Sequence, residues 1–197
     1  YIRLDKEIEK LLNTLDAKVG KGNYTVFLTA DHGAVNVPAY LESVKIPAGY
    51  FDGAAFEEQV GNITIETHKV SSFLKNISNQ QIFLDREKIQ QLGLDLDDVQ
   101  EAIVNQIITF DQVYKAYTAS TMSTTQFTKG IENLLQNGYN QKRSGDVLFV
   151  LDPAVIQYSK TGSTHGSPLN YDTHVPLIFY GNGITKGSTT THTTIPD

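Results

Sequence analysis

Leu4, Ile8, Leu11, Leu12 and Leu15 have the spacing of one face of a helix, and Arg3, Asp5, Lys6, Glu7, Glu9 and Lys10 fall off that stripe. The pattern predicts an amphipathic helix over 2–19, stopped by Gly20 and Gly22. Residues 24–30 then form a nearly unbroken apolar and β-branched run, as expected of a strand covered on both faces. Helix, short glycine loop and buried strand is the rhythm of a doubly wound sheet. Residues 34–56, with Pro38, Pro47, Gly49 and Gly53, read as loop. Runs at 72–77 and 81–84 can pair as a hairpin around Ser78 and Asn79. Asp97 is placed to cap a helix through Val99, Ile103, Ile107 and Ile108, and a further helix over 124–137 ends at Asn137-Gly138. Strand patterns return at 147–151, 154–158 and 175–180, and the Thr-rich stretch 189–194 is compatible with a strand. These patterns predict an α/β core over 1–50 and 141–197 and an inserted α+β subdomain over 51–140.

The 197 residues can bury a sizeable core in one domain or in one domain plus a subdomain. No stretch approaches the roughly 18–20 apolar residues that cross a bilayer, so no membrane span is expected. The net charge of -6 argues against nucleic acid as a partner, since such binding needs a cationic surface. A small phosphorylated substrate stays compatible, because bound cations can reverse the local field. The chain has no cysteine, which removes disulfides and thiolates and leaves His and carboxylates as metal ligands. It opens at Tyr1 inside a helical pattern without a signal sequence, and stops at Ile195-Pro196-Asp197 without a closing element. The expectation is a piece of a larger protein.

Asp31-His32-Gly33 follows the strand at 24–30, and in open α/β sheets ligands bind at the carboxyl ends of strands. An adjacent carboxylate and imidazole suit a zinc-like ion, and the glycine lets other groups approach. The same tripeptide also suits a plain cap and loop. His165-Gly166 sits in a loop of small residues, 161–168, and on its own is as readily a solvated histidine as a ligand. Asp172 and His174 precede the last strand and fit either a group that orients a ligand or a local hydrogen-bonded turn. His68 and His192 read as surface residues. No Gly-x-Ser-x-Gly elbow follows a strand, which counts against a serine-hydrolase triad.

Residues 24–33 (YTVFLTADHG), 143–151 (RSGDVLFVL) and 162–181 (GSTHGSPLNYDTHVPLIFYG) together resemble the alkaline phosphatase superfamily. Within it they look closest to the PafA-like alkaline phosphatases and the type I phosphodiesterase/nucleotide pyrophosphatase group. The resemblance implies the C-terminal part of a three-layer αβα sandwich with the inserted subdomain. It implies a two-zinc site, with Asp31 and His32 on one ion and His165 on the other. It also implies a phosphate monoester hydrolase working through a covalent phospho-enzyme, in a periplasmic or secreted protein. The family's nucleophile and its remaining metal ligands would lie upstream, so this chain would hold no catalytic nucleophile. Alone it would be inactive and would bind zinc weakly, with the upstream half of the polypeptide as its partner. A phosphodiesterase is the alternative within the fold, with a sulfatase or phosphomutase behind it. The alternative from another class is a non-enzymatic α/β binding module in which Asp31, His32 and His165 are loop residues.

Overall fold

The computed structural model describes residues 1–194, so the chain's last three residues, Ile195-Pro196-Asp197, lie outside the described part. The architecture is mixed α/β, as the sequence pattern implied, and it divides into two compact units. One comprises Tyr1–Asp31 with the chain from Val175 onward, and the other is His32–His174. The division between these units falls at 31/32 and 174/175.

In the first unit, helix α1 (Ile2–Leu15) runs directly into a single π-helical segment, Asp16–Gly20. Gly20 ends it with φ +99°, a backbone shape that an L side chain resists. Tyr24 folds back on this segment and donates to Asp16 Oδ1 at 2.7 Å. Strand β1 (Thr25–Thr29) follows; its partner in the same unit is the last strand of the chain, in antiparallel register, with Phe27 opposite Phe179. The expectation of a strand covered on both faces is corrected within this unit. The sheet here has two strands, and Phe27 remains 66% exposed. An apolar run reports that a face can be covered, and covering needs neighbours.

The second unit holds the main core. Residues 34–56, read as loop, contain helix α2 (Pro38–Ser43), the short strand β2 (Gly49–Tyr50) and the start of helix α3 (Gly53–His68). Pro38 suits the first turn of α2, where its missing N–H is not needed. Asp52 caps α3 by accepting from the N–H groups of Ala54 and Ala55. His68, read as a surface residue, is half-buried at the end of α3 with its ring 5.5 Å from that of Phe73. His192 is exposed.

The predicted hairpin is present as β3 (Leu74–Ser78) and β4 (Gln81–Leu84), turned through Asn79 and Gln80, both with positive φ. Helices α4 (Arg86–Gln91) and α5 (Leu96–Ile107) follow, then β5 (Val113–Thr118), α6 (Ala119–Thr124) and α7 (Gly130–Gly138). Asp95 caps α5, accepting from the N–H groups of Asp97 and Asp98, so the expected cap at Asp97 is shifted by two residues. Strand β6 (Val147–Leu151) enters the sheet between β4 and β5, giving the order β3-β4-β6-β5 with antiparallel pairing. All five of its residues are buried, as an unbroken Val-Leu-Phe-Val-Leu run requires of a central strand. Phe56, Val60, Phe73, Ile82, Ile103 and Phe149 form the centre of this core. Asp146 just before β6 accepts from Leu84 N–H and Arg86 Nε, both at 2.7 Å, which pairs a buried carboxylate with a half-exposed guanidinium.

Strand β7 (Val155–Ile156) runs parallel to β2. The four-residue helix α8 (Asn170–Thr173) precedes the final strand β8 (Leu177–Gly181), the partner of β1. Residues 187–194 form no strand. Among the described residues no helix is long and apolar enough to cross a membrane.

Candidate metal centre

Two of the sequence-predicted groups, His32 and His165, meet in two neighbouring loops of the second unit. His32 opens the loop that leads to α2, and His165 lies in the loop between β7 and α8. Their imidazole rings stack face to face, with centroids 3.5 Å apart and planes inclined by 18°. Asp31 is the peptide neighbour of His32 and closes the other unit, two residues beyond the end of β1. All three residues are exposed.

The loops are held together by named bonds. Gly33 N–H donates to Asp172 O at 2.7 Å, and Ser163 Oγ donates to Val35 O. Tyr50 Oη donates to Lys160 O at 2.8 Å at the start of the His165 loop. Asp172 Oδ2 accepts from both Ser167 N–H at 2.8 Å and Ser167 Oγ at 2.7 Å at its end. Behind them Val35, Leu41, Ala154 and Ile156 make a small buried cluster on which Tyr171 packs. Gly33 is required by space. A Cβ there would come within 2.0 Å of Tyr171 O. Asp172 is 5% exposed and belongs to α8, with His174 N–H closing the turn on Asn170 O at 2.9 Å. Of the two readings of Asp172 and His174, the hydrogen-bonded turn is present.

The hydrogen bonding of His32 assigns one of its ring nitrogens. Nδ1 lies 2.7 Å from Gly33 O, and a carbonyl only accepts, so Nδ1 is the donor in this contact. Such a bond is the usual support of a metal-binding imidazole. Parallel rings direct their in-plane lone pairs side by side and do not converge them on one atom. Paired metal ions sit about 3.5–4 Å apart, so stacked rings match one histidine on each of two ions better than both on one. Imidazole nitrogens are donors of a kind that zinc takes. They do not complete a site: among the described residues no group of three or more His, Asp or Glu side chains is arranged to hold an ion. A catalytic zinc usually takes three protein ligands.

Residues 1–175 match the sequence profile of the type I phosphodiesterase / nucleotide pyrophosphatase family. The chain belongs to this family, within the alkaline phosphatase superfamily. It is 34% identical over 188 residues to the alkaline phosphatase PafA of Elizabethkingia meningoseptica, covering 95% of this chain and 34% of that protein. It is 35% identical over 199 residues to a protein of Myroides odoratus named calcium-transporting ATPase, covering 100% of this chain and 36% of that one. The crystal structure of alkaline phosphatase PafA superposes with a TM-score of 0.86 at 32% identity, over 97% of this chain and 36% of that chain. The family fold is therefore shared along nearly the whole sequence. The chain spans about a third of the length of the relatives it matches.

Sequence reasoning named Asp31, His32 and His165 as candidates but did not name the residues that tie the two histidine loops together. Ser163, Ser167 and Tyr171 carry no motif of their own. The only signal was the Ser-Pro step at Ser167-Pro168 just before a short polar stretch, which suits a capped turn.

Proposed function

We propose that the polypeptide carrying this chain is a zinc-dependent phosphate monoester hydrolase, and that the chain supplies the C-terminal part of its metal centre. The stacked pair His32–His165 carries this reading, because it presents two imidazoles at the spacing of a two-ion site. Asp31 and His32 bind one zinc ion and His165 the other. Zinc held there supplies Lewis-acid stabilisation of the attacking and leaving oxygens of an in-line displacement at phosphorus. The nucleophile that forms the phospho-enzyme and the remaining ligands come from an upstream segment of the same polypeptide. The short span relative to the matched relatives supports this division. So does the incomplete ligand set among the described residues. The chain alone is accordingly inactive and binds zinc no more tightly than about micromolar, since two ligands hold zinc poorly.

A second reading, phosphodiester hydrolysis at the same centre, is favoured by the family profile itself. The test is hydrolysis by the full-length polypeptide of an aryl phosphate monoester, the matching diester and the sulfate, before and after chelation. Asp31→Ala and His165→Ala are measured alongside. A chelator-sensitive monoesterase crippled by both substitutions is the expected result. Preference for the diester moves the function to phosphodiesterase with the centre unchanged. Absence of metal-dependent turnover on all three substrates overturns the reading and leaves an α/β binding module.

A further inference from the structure

Beside His165 the second unit holds a cavity of about 200 Å³ with a mixed wall. Phe51, Phe149 and Val155 make part of it apolar, and the two phenyl rings stand 6.1 Å apart between centroids. Gln157 brings a neutral amide and Thr164 a hydroxyl. Asp172 supplies a carboxylate, and no lysine or arginine among the described residues lines the cavity. Oδ2 of that carboxylate is taken up by Ser167. Oδ1 is fully buried, in a residue 5% exposed, and has no hydrogen-bond partner among the described residues. Buried polar atoms almost always have a partner, and buried charges a counter-charge, so Oδ1 calls for a donor that this wall does not supply.

The rest of the wall decides what kind of donor fits. Water needs two to four polar partners, which the phenyl and valine side does not give. A bare inorganic cation needs a shell of oxygens, and the same side gives it none. A short carbon chain ending in an ammonium matches both parts of the wall. Its carbons cover the apolar side, its N–H groups and charge meet the carboxylate, and phenyl faces attract a cation. We propose that this cavity is a binding site for a small organic ammonium, seated with its head on Asp172 Oδ1 and its carbon chain on Phe51 and Phe149. Neither the cavity nor its carboxylate depends on an ion at His165, so the site stands whether or not the metal centre does.

The experiment uses the full-length polypeptide, treated with a chelator, with n-propylammonium as the probe and n-propanol as its uncharged counterpart. A saturation-transfer NMR titration is expected to give n-propylammonium a Kd of about a millimolar, the range open to so small a ligand. n-Propanol should bind at least about 10-fold more weakly, since it lacks the charge that Asp172 pairs with. In protein labelled at phenylalanine, cross-relaxation from the propyl chain should reach the rings of Phe51 and Phe149. Asp172→Asn should weaken n-propylammonium by about 10-fold or more and narrow its advantage over n-propanol. If that variant does not fold, the two ligands and the ring contacts in the wild type decide on their own. Equal affinity for the two ligands would make the cavity merely apolar, and displacement of n-propylammonium by equimolar sodium would make it an inorganic cation site. Either result overturns the proposal, as does absence of binding or of contact with the two rings.

Discussion

At the scale of single residues, Lys115, Tyr117 and Glu132 form a charged cluster between β5 and α7. Glu132 accepts from Lys115 Nζ at 2.7 Å and from Tyr117 Oη at 2.5 Å. The lysine contact, followed by the tyrosine contact, lowers the Glu132 carboxyl from its ordinary 4.5 to about 2. Burial, followed by the bond to Glu132, pushes the Tyr117 phenol up to about 12. The bond to Glu132 also raises Lys115. The signs follow from linkage. A depressed carboxyl contributes stability above pH 4.5, and that contribution is lost as the pH falls toward 2, where folded Glu132 takes its proton. A raised phenol contributes below pH 10, and its contribution is lost as the pH climbs toward 12. Urea midpoints across the pH range are therefore expected to drop at both ends. Glu132→Gln should flatten the acid limb and keep most of the alkaline one, where burial is the larger cause. Equal acid limbs in variant and wild type would refute the assignment. Nothing in the sequence announced this cluster, because Lys115 and Glu132 become neighbours only when α7 packs beside β5. The same limit applied to His32 and His165. Each was legible as a candidate from its strand end or glycine loop, while their stacking depends on Val35, Asp172 and Tyr171 bringing the loops together.

At the scale of elements, what was legible had strong periodicity. β6 and α5 stood out through runs of Val, Leu, Ile and Phe, and the β3–β4 hairpin through its two short apolar stretches. Helix α3 was hidden, because Gly53 and Gly61 and the β-branched Ile63, Thr64 and Ile65 are weak helix formers. Its Asp52 cap and the packing of Phe56 against Phe51 and Phe149, at 5.0 and 4.8 Å between ring centroids, override that weakness. The start of α5 tests how far such caps matter. Asp95, Asp97 and Asp98 are all acidic and close together, and periodicity could not choose among them. The structure gives the cap to Asp95, whose Oδ1 accepts at 2.8 and 3.2 Å. Asp95→Ala is expected to cost about 1 kcal/mol in denaturant unfolding. Asp97→Ala, which loses an exposed contact with Ser120 Oγ, should stay within about 0.5 kcal/mol. Equal losses would return the cap to Asp97.

At the scale of the whole molecule, the two units differ in how well they cover their apolar residues. The unit of His32–His174 surrounds β6 on both faces. In the other unit, Phe27, Leu177, Ile178, Phe179 and Tyr180 of the β1–β8 ribbon stay between 45% and 66% exposed, and α1 buries none of its residues fully. Exposed apolar side chains on both faces of a two-stranded ribbon offer a surface for association. The chain by itself is expected to self-associate, its weight-average mass in sedimentation rising with concentration. Phe27→Ser with Phe179→Ser, a pair that faces across the ribbon, should hold it at the monomer mass. In the longer polypeptide proposed above, the consequence has the opposite sign. If the ribbon there is one part of a larger sheet with covered faces, the same two changes open cavities and lower stability by roughly 3–5 kcal/mol for each phenylalanine. Substitutions that improve the behaviour of the chain and damage the full-length protein would support the ribbon as the place where the missing strands pack. Substitutions neutral in the full-length protein would mean that this face is solvent-exposed there too, and that the upstream segment reaches the histidines by another route.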